Sequence, residues 1–229
     1  MIKIEQVAVW GFEHAIRGMR NPMNSWDKSD SFLCDGVGCF FEDCPKFDKI
    51  KGGCDSEHEF IFGKADLDLM NRLSKAGQPH RKFLRQIFVS VDITAPLYWW
   101  KEFDTYKVGT TANSQSTMHK ITSKEFTVDD FSHDHMYDGA LDALSDLILE
   151  LNYDREQFLE TKDKRFWYNI IQLLPSSYNQ KRTVTMTYEN LLNMLEYRKN
   201  HKLDEWRFFC EWILTLPLHE VLEVGVVHE

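Results

Sequence analysis

Four of the five cysteines fall in one short stretch, as Cys34-x4-Cys39-x4-Cys44-x9-Cys54, with His58 just beyond. Thiolates in such a cluster are soft ligands for zinc or an iron–sulfur cluster. The spacing lacks the paired CxxC of zinc fingers, so free thiols in an irregular loop are the alternative. A metal would organise a segment that cannot fold alone. Further on, Asn193, Arg198 and His201 lie close in sequence. An arginine can stabilise negative charge that develops in a reaction; the plain alternative is a solvated arginine favoured by a helix C-terminus. An Asn amide or a His ring suits the edge of a heterocycle, or equally a local backbone group. In the polar stretch TTANSQST, Asn113 and Ser116 could hold a phosphate with free backbone N–H groups, or simply cap a turn. Lys181 and Arg182 add positive charge nearby in sequence. His133-Asp134-His135 reads as a solvated turn, and Lys162 to Arg165 as a charged helix start.

Regular elements must position these groups. Residues 2–10 alternate apolar and polar side chains and read as a strand, followed by a short helix over 11–19. The stretch 20–60 is irregular, with RNPMNSWDKSD rich in turn formers ahead of the cysteines. A helix is expected over 66–76 with Gly77 past its end, and a β-branched strand over 85–94. Pro96 then suits the first turn of the helix PLYWWKEFDTYK, whose aromatics are too many for one buried stripe. Helices follow over 137–152, 163–174, 188–200 and 204–216, with a short strand at 183–187. No repeat, low-complexity tract or linker divides the chain, so residues 1–229 read as a single α+β domain with more helix than strand.

A formal charge of −9 excludes a general nucleic-acid-binding surface, which needs a basic footprint. With 43% hydrophobic residues a packed interior is available, yet no run of about 18 apolar residues suggests a membrane span. The N-terminus lacks a basic-then-apolar export pattern, so a cytoplasmic location is expected.

Three segments in order carry a family resemblance. In RQIFVSVDITAPLYWWKEFDTYKVGTTANSQSTMH, Ala95-Pro96 opens a helix and is followed by a relic of RHRxxSxNxxSxRY. Thr105-Tyr106-Lys107 stands at Arg-His-Arg, Thr110 at the first Ser, Asn113 and Ser116 at the Asn and second Ser, and Met118-His119 at the final Arg-Tyr. In QLLPSSYNQKRTVTMTYENLLNMLEYR, Leu174-Pro175 precedes a strand and a helix like NxRSLxNFLxLR, matched at Leu191, Asn193 and Arg198 and broken at Thr187 and Glu189. HKLDEW is similar to HAQWEI at His201 and Glu205. From Arg85 onward the chain thus resembles the flavin-dependent thymidylate synthase (thymidylate synthase complementing protein) family.

The resemblance implies a small antiparallel sheet packed with long helices, a homotetramer, FAD as cofactor, and one-carbon transfer from a folate to C5 of a pyrimidine nucleotide such as dUMP. It assigns catalysis to Arg198, substrate binding to Asn113 and Ser116, and cofactor binding to Lys107, Thr110, Asn193 and His201. Met118 and Ile171 replace phosphate-gripping arginines, so Lys181 and Arg182 are expected to compensate. A diverged nucleotide- or partner-binding protein on the same scaffold is the rival reading. A changed substrate is a third, with Arg20, Asn21, Asn24 and Asp27 lining a new pocket.

Overall fold

The computed structural model describes residues 2–34 and 59–226. The strands are β1 (Lys3–Trp10), β2 (Phe32–Leu33), β3 (Phe60–Ile61), β4 (Phe88–Pro96), β5 (Thr111–Ser114) and β6 (Asn179–Thr187). The helices are α1 (Phe12–Arg20), α2 (Lys64–Lys75), α3 (Leu97–Phe103), α4 (Asp138–Thr161), α5 (Lys164–Leu173), α6 (Tyr188–Arg198), α7 (Asp204–Ile213) and α8 (His219–Glu223). The mixed helical and antiparallel-sheet class expected from the sequence is the one observed. Contacts divide the chain into two compact units: residues 1–8, 89–186 and 197–213, and residues 9–88, 187–196 and 214–229.

The first unit is built on a sheet of order β1-β4-β6-β5. Strand period decides which side chains it buries. In β6 the even residues Gln180, Val184 and Met186 are buried while Lys181 and Thr183 are exposed, and in β4 Val89, Val91 and Ile93 are fully buried. The stretch TANS, expected as a loop opening a helix, is instead strand β5, with Asn113 opposite Thr183. Its polar residues give no hydrophobic alternation; the ladder with β6 makes it a strand. The aromatics after Pro96 divide as their number requires. Trp99 and Trp100 are wholly buried and Phe103 nearly so, while Tyr98 and Tyr106 are half-buried. Trp99 stands 4.8 Å from the ring of Trp206 and 5.5 Å from that of Phe209 on α7, in the tilted and edge-on packings that suit ring quadrupoles.

Helices α4 and α5 pack as a hairpin over a second core of Phe126, Phe131, Leu144, Leu151, Ile170 and Tyr178. Helix α4 runs well past the expected end because nothing breaks it before Lys162, which adopts a left-handed conformation (φ 60°) and closes it. Asp163 then caps α5 by accepting the backbone N–H of Arg165 at 2.9 Å. Ile171 packs against this core.

In the second unit, Asp66 on α2 is wholly buried and organises the turn-rich segment before β2. Its carboxylate accepts Arg20 Nε at 2.6 Å, Ser29 Oγ at 2.8 Å, and the backbone N–H groups of Asp30 and Ser31 at 3.1 and 3.0 Å. Two short 3₁₀ turns, Asn21–Met23 and Trp26–Lys28, are tied by Trp26 Nε1 donating to Asn21 Oδ1 at 2.7 Å. Arg20 is therefore committed to Asp66, while Asn21, Asn24 and Asp27 are exposed. Arg81 makes a second buried pair with Glu189 at 3.2 Å and also donates to the Gly225 carbonyl at 3.0 Å.

Candidate functional site

A connected polar cluster of the first unit forms around Glu102, near the end of α3. Its Oε2 accepts Arg198 Nη1 at 2.9 Å and Trp206 Nε1 at 3.1 Å, and lies 3.3 Å from His201 Nε2. His201 Nδ1 accepts the Leu203 backbone N–H at 3.2 Å, which leaves the proton of a neutral ring on Nε2, facing Glu102. Arg198 Nε donates to the Tyr106 hydroxyl at 3.0 Å. The guanidinium carbon lies 4.9 Å from the centroid of Trp206 and 5.6 Å from that of Tyr106. Arg198 is thus held on a fixed platform, and among the described residues its Nη2 has no protein acceptor.

Arg198 and His201, nominated separately from the sequence, meet in this cluster. Glu102 and Trp206, which join them, were not nominated; only their tertiary placement reveals them. Beside them, burial and the Glu205 carboxylate raise the Tyr98 hydroxyl above its ordinary range. Burial likewise pushes the Cys210 thiol up to about 12, so it is inert as a nucleophile at neutral pH.

The other nominated residues sit elsewhere. Lys181 Nζ lies 2.9 Å from Asp92 and 3.8 Å from Glu5, and the Thr183 hydroxyl donates to Asp92 at 2.6 Å. Thr183 and Lys181 hold the Asp92 carboxyl below its usual range. Arg182 points to the opposite face, pairs with Asp104 at 2.7 Å and stacks 4.2 Å from the Trp100 centroid. Adjacent strand residues face opposite ways, so this pair does not form one phosphate grip. Ser116 Oγ accepts the His119 N–H at 2.9 Å, Thr110 Oγ1 turns back to the Tyr106 carbonyl at 2.5 Å, and Lys107 is exposed. Asn193 lies in the second unit.

A flavin dinucleotide needs a cationic grip with spare donors. Among its nominated ligands His201 is engaged at both nitrogens, Thr110 is satisfied locally, and the nearby Arg198 charge is matched by Glu102. Lys107 is exposed and without an ion pair among the described residues, so it keeps donors for a flavin phosphate. Of the four cysteines, Cys34 is buried with a free thiol, and Cys39, Cys44 and Cys54 lie outside the described residues. Among the described residues no group of three or more His, Cys, Asp or Glu could hold a metal ion. No described helix is long and apolar enough to cross a membrane.

Beyond Ser116 a cavity of about 480 Å³ opens between the loop after β5 and the α4–α5 turn. Met118, His119, Phe158, Lys162, Lys164 and Trp167 line it, with Tyr168. Trp167 Nε1 donates to the Met118 carbonyl at 3.2 Å, which fixes the indole plane. Lys162 Nζ lies 5.9 Å from the Phe158 centroid, and neither lysine is ion-paired among the described residues. The run read from sequence as a charged helix start therefore supplies the cationic wall of a cavity.

No family model matches the chain, and no curated protein sequence matches it. Its fold does match solved structures. Flavin-dependent thymidylate synthase ThyX from Helicobacter pylori, complexed with FAD and dUMP, superposes with a TM-score of 0.64 at 15% identity, over 97% of this chain and 100% of that one. The UMP/dUMP methylase PolB from Streptomyces cacaoi, bound with 5-Br UMP, gives 0.61 at 12% identity, over 100% of this chain and 97% of that one. Along its whole length, the chain has the fold of the flavin-dependent thymidylate synthases.

Proposed function

We propose that the protein binds a pyrimidine nucleotide, of the dUMP or UMP kind, in the cavity between the 116–122 loop and the α4–α5 turn, and transfers a one-carbon unit to C5 of its base. The observation that carries this reading is the lining itself: two lysines without an ion pair among the described residues, a histidine and a fixed indole in one cavity of about 480 Å³. Phosphate takes ammonium groups as point charges, and a pyrimidine takes an aromatic face. The structural neighbours that bind dUMP or 5-Br UMP support the same substrate class. Lys162 and Lys164 hold the phosphate, and Trp167 stacks on the base. Arg198, held by Glu102 and Tyr106, does not line this cavity, so its proposed catalytic role requires a site to which another copy of the chain contributes. A folate is the carbon donor that the resemblance implies.

Titration with dUMP by calorimetry tests the grip. Replacing Lys162 and Lys164 together by alanine weakens dUMP binding about thirtyfold, from charge-assisted contacts of about 1 kcal/mol each or more. Deoxyuridine binding barely changes, and Lys181→Ala binds dUMP like the wild type because Lys181 is already held by Asp92. Undiminished dUMP affinity in the double variant defeats the assignment. Catalysis is read separately, as a methyl group gained by the nucleotide in mass spectra after incubation with methylenetetrahydrofolate and NADPH.

The local engagement of His201 and Thr110 favours a second reading, a nucleotide-binding protein that does no chemistry on this scaffold. A flavin absorption band in the purified protein, with methyl gain, excludes it. Nucleotide binding without either selects it.

We also propose a homotetramer. Leu149 and Tyr153, one turn apart on α4, are 69% and 53% exposed, an apolar pair suited to another subunit. Leu149→Glu shifts the sedimenting species to smaller mass; an unchanged mass removes α4 from the interface.

A further inference from the structure

The second unit holds a cavity of about 440 Å³ that the nucleotide reading leaves unused. Three phenylalanines wall it, and their placement follows from local rules. In the β2–β3 pair Leu33 lies opposite Phe60, while Ile61 turns to the other side and is 6% exposed. Phe60 and Phe62 share the side that Leu33 occupies, as alternate residues of an extended chain do, and all three line the cavity. The third ring, Phe12, opens α1. Gly11 before it has φ 97°, and a Cβ there would lie 2.1 Å from the Gln86 carbonyl oxygen. Only glycine lets the helix start lie against that backbone, which brings Phe12 to the other two rings. Phe12 and Phe62 meet edge to face, with centroids 5.0 Å apart at 90°, and Phe60 and Phe62 are 5.1 Å apart at 59°.

Charge adds to shape. Glu13 and Glu59 line the same cavity and are exposed, so their carboxylates stand where the cavity meets solvent. His14 also lines it, and among the described residues no lysine or arginine does. Aromatic faces carry negative potential, and the exposed Glu13 carboxylate reinforces it. An anion is repelled from such a lining, and a neutral apolar molecule gains nothing from that charge.

We propose that this cavity binds a small organic cation of the quaternary or methylated ammonium class, its charge against the Phe12, Phe60 and Phe62 rings and beside Glu13 and Glu59. The inference is independent of the nucleotide site, which lies in the other unit.

The test compares choline with 3,3-dimethylbutan-1-ol, the same shape without the charge, by NMR titration of the whole protein. Choline binds at least tenfold more tightly than the alcohol. Phe62→Leu, which keeps apolar bulk but removes a π face, weakens choline about fivefold and leaves the alcohol unchanged. Glu13→Gln, at an exposed position that does not endanger folding, weakens choline about threefold and reduces its salt dependence. Equal binding of the two probes shows an apolar cavity and overturns the proposal. Absence of choline binding overturns it as well, as does an unchanged choline affinity in both variants.

Discussion

Replacing Asp66 with alanine removes about 3–5 kcal/mol from the stability of the protein, measured as the urea midpoint multiplied by the slope of the transition. The cause is the charge left behind. Arg20 is 4% exposed on its side chain and takes its counter-ion from Asp66, which is wholly buried. Truncation also removes the part-buried hydrogen bonds that the Ser29 hydroxyl and the backbone N–H groups of Asp30 and Ser31 make to the carboxylate, a smaller loss because water can reach these donors. Asp66→Asn keeps the shape and loses the charge, so it remains costly. Changing Arg20 and Asp66 together to apolar residues recovers much of the loss, because no unpaired charge remains. A midpoint within experimental error of wild type for Asp66→Ala contradicts this account.

The same carboxylate gives the protein an acid limb. Burial on its own would raise the Asp66 pKa, but hydrogen bonds from Ser31, Ser29 and Arg20 outweigh it and leave the group below its ordinary value. A depressed folded pKa contributes stability that is complete above the unfolded value of about 3.9 and is lost as pH falls through the folded value. Stability therefore declines below about pH 4 in the wild type, and the decline is shallower in Asp66→Asn.

Replacing Trp206 with alanine has a comparable effect, about 3–5 kcal/mol, by emptying the centre of the aromatic cluster. Its ring lies 4.8 Å from Trp99, 5.9 Å from Phe209 and 6.4 Å from Phe103 by centroid, and it is wholly buried. Trp206→Phe separates the packing from the hydrogen bond. It fills most of the space and loses the N–H to Glu102, at a cost of about 1 kcal/mol because Glu102 is partly solvated. Chemical denaturation of both variants checks the ratio; an alanine variant no worse than the phenylalanine one removes the packing argument.

What the sequence revealed and concealed follows from the range of the interactions involved. Helices α6 and α7 were legible because Leu191, Leu192 and Leu195, and Trp206, Phe209 and Cys210, recur at helical spacing and are buried as that spacing requires. The meeting of Arg198 with His201 was within reach, since few residues separate them. Glu102 was not, because nothing in PLYWWKEFDTYK distinguishes a carboxylate that will collect three donors from one that faces water. Strand β5 was concealed for a similar reason: TANS has no apolar period, and its ladder partner lies far along the chain. Lys162 and Lys164 looked like solvated charges, and only the fold of α4 onto α5 sets them beside Trp167 and Met118. The pairing of Lys181 and Arg182 as one grip failed on strand geometry, which a longer reading of β6 would have shown.

Lys162 closes α4 with a left-handed backbone, φ 60° and ψ 14°, where helices usually end in glycine. An L side chain in that conformation costs roughly 1 kcal/mol or more. The turn is thus less stable than a glycine would make it, and the difference goes into fixing an ammonium group at the mouth of a cavity. Stability has been traded there for placement of one charge.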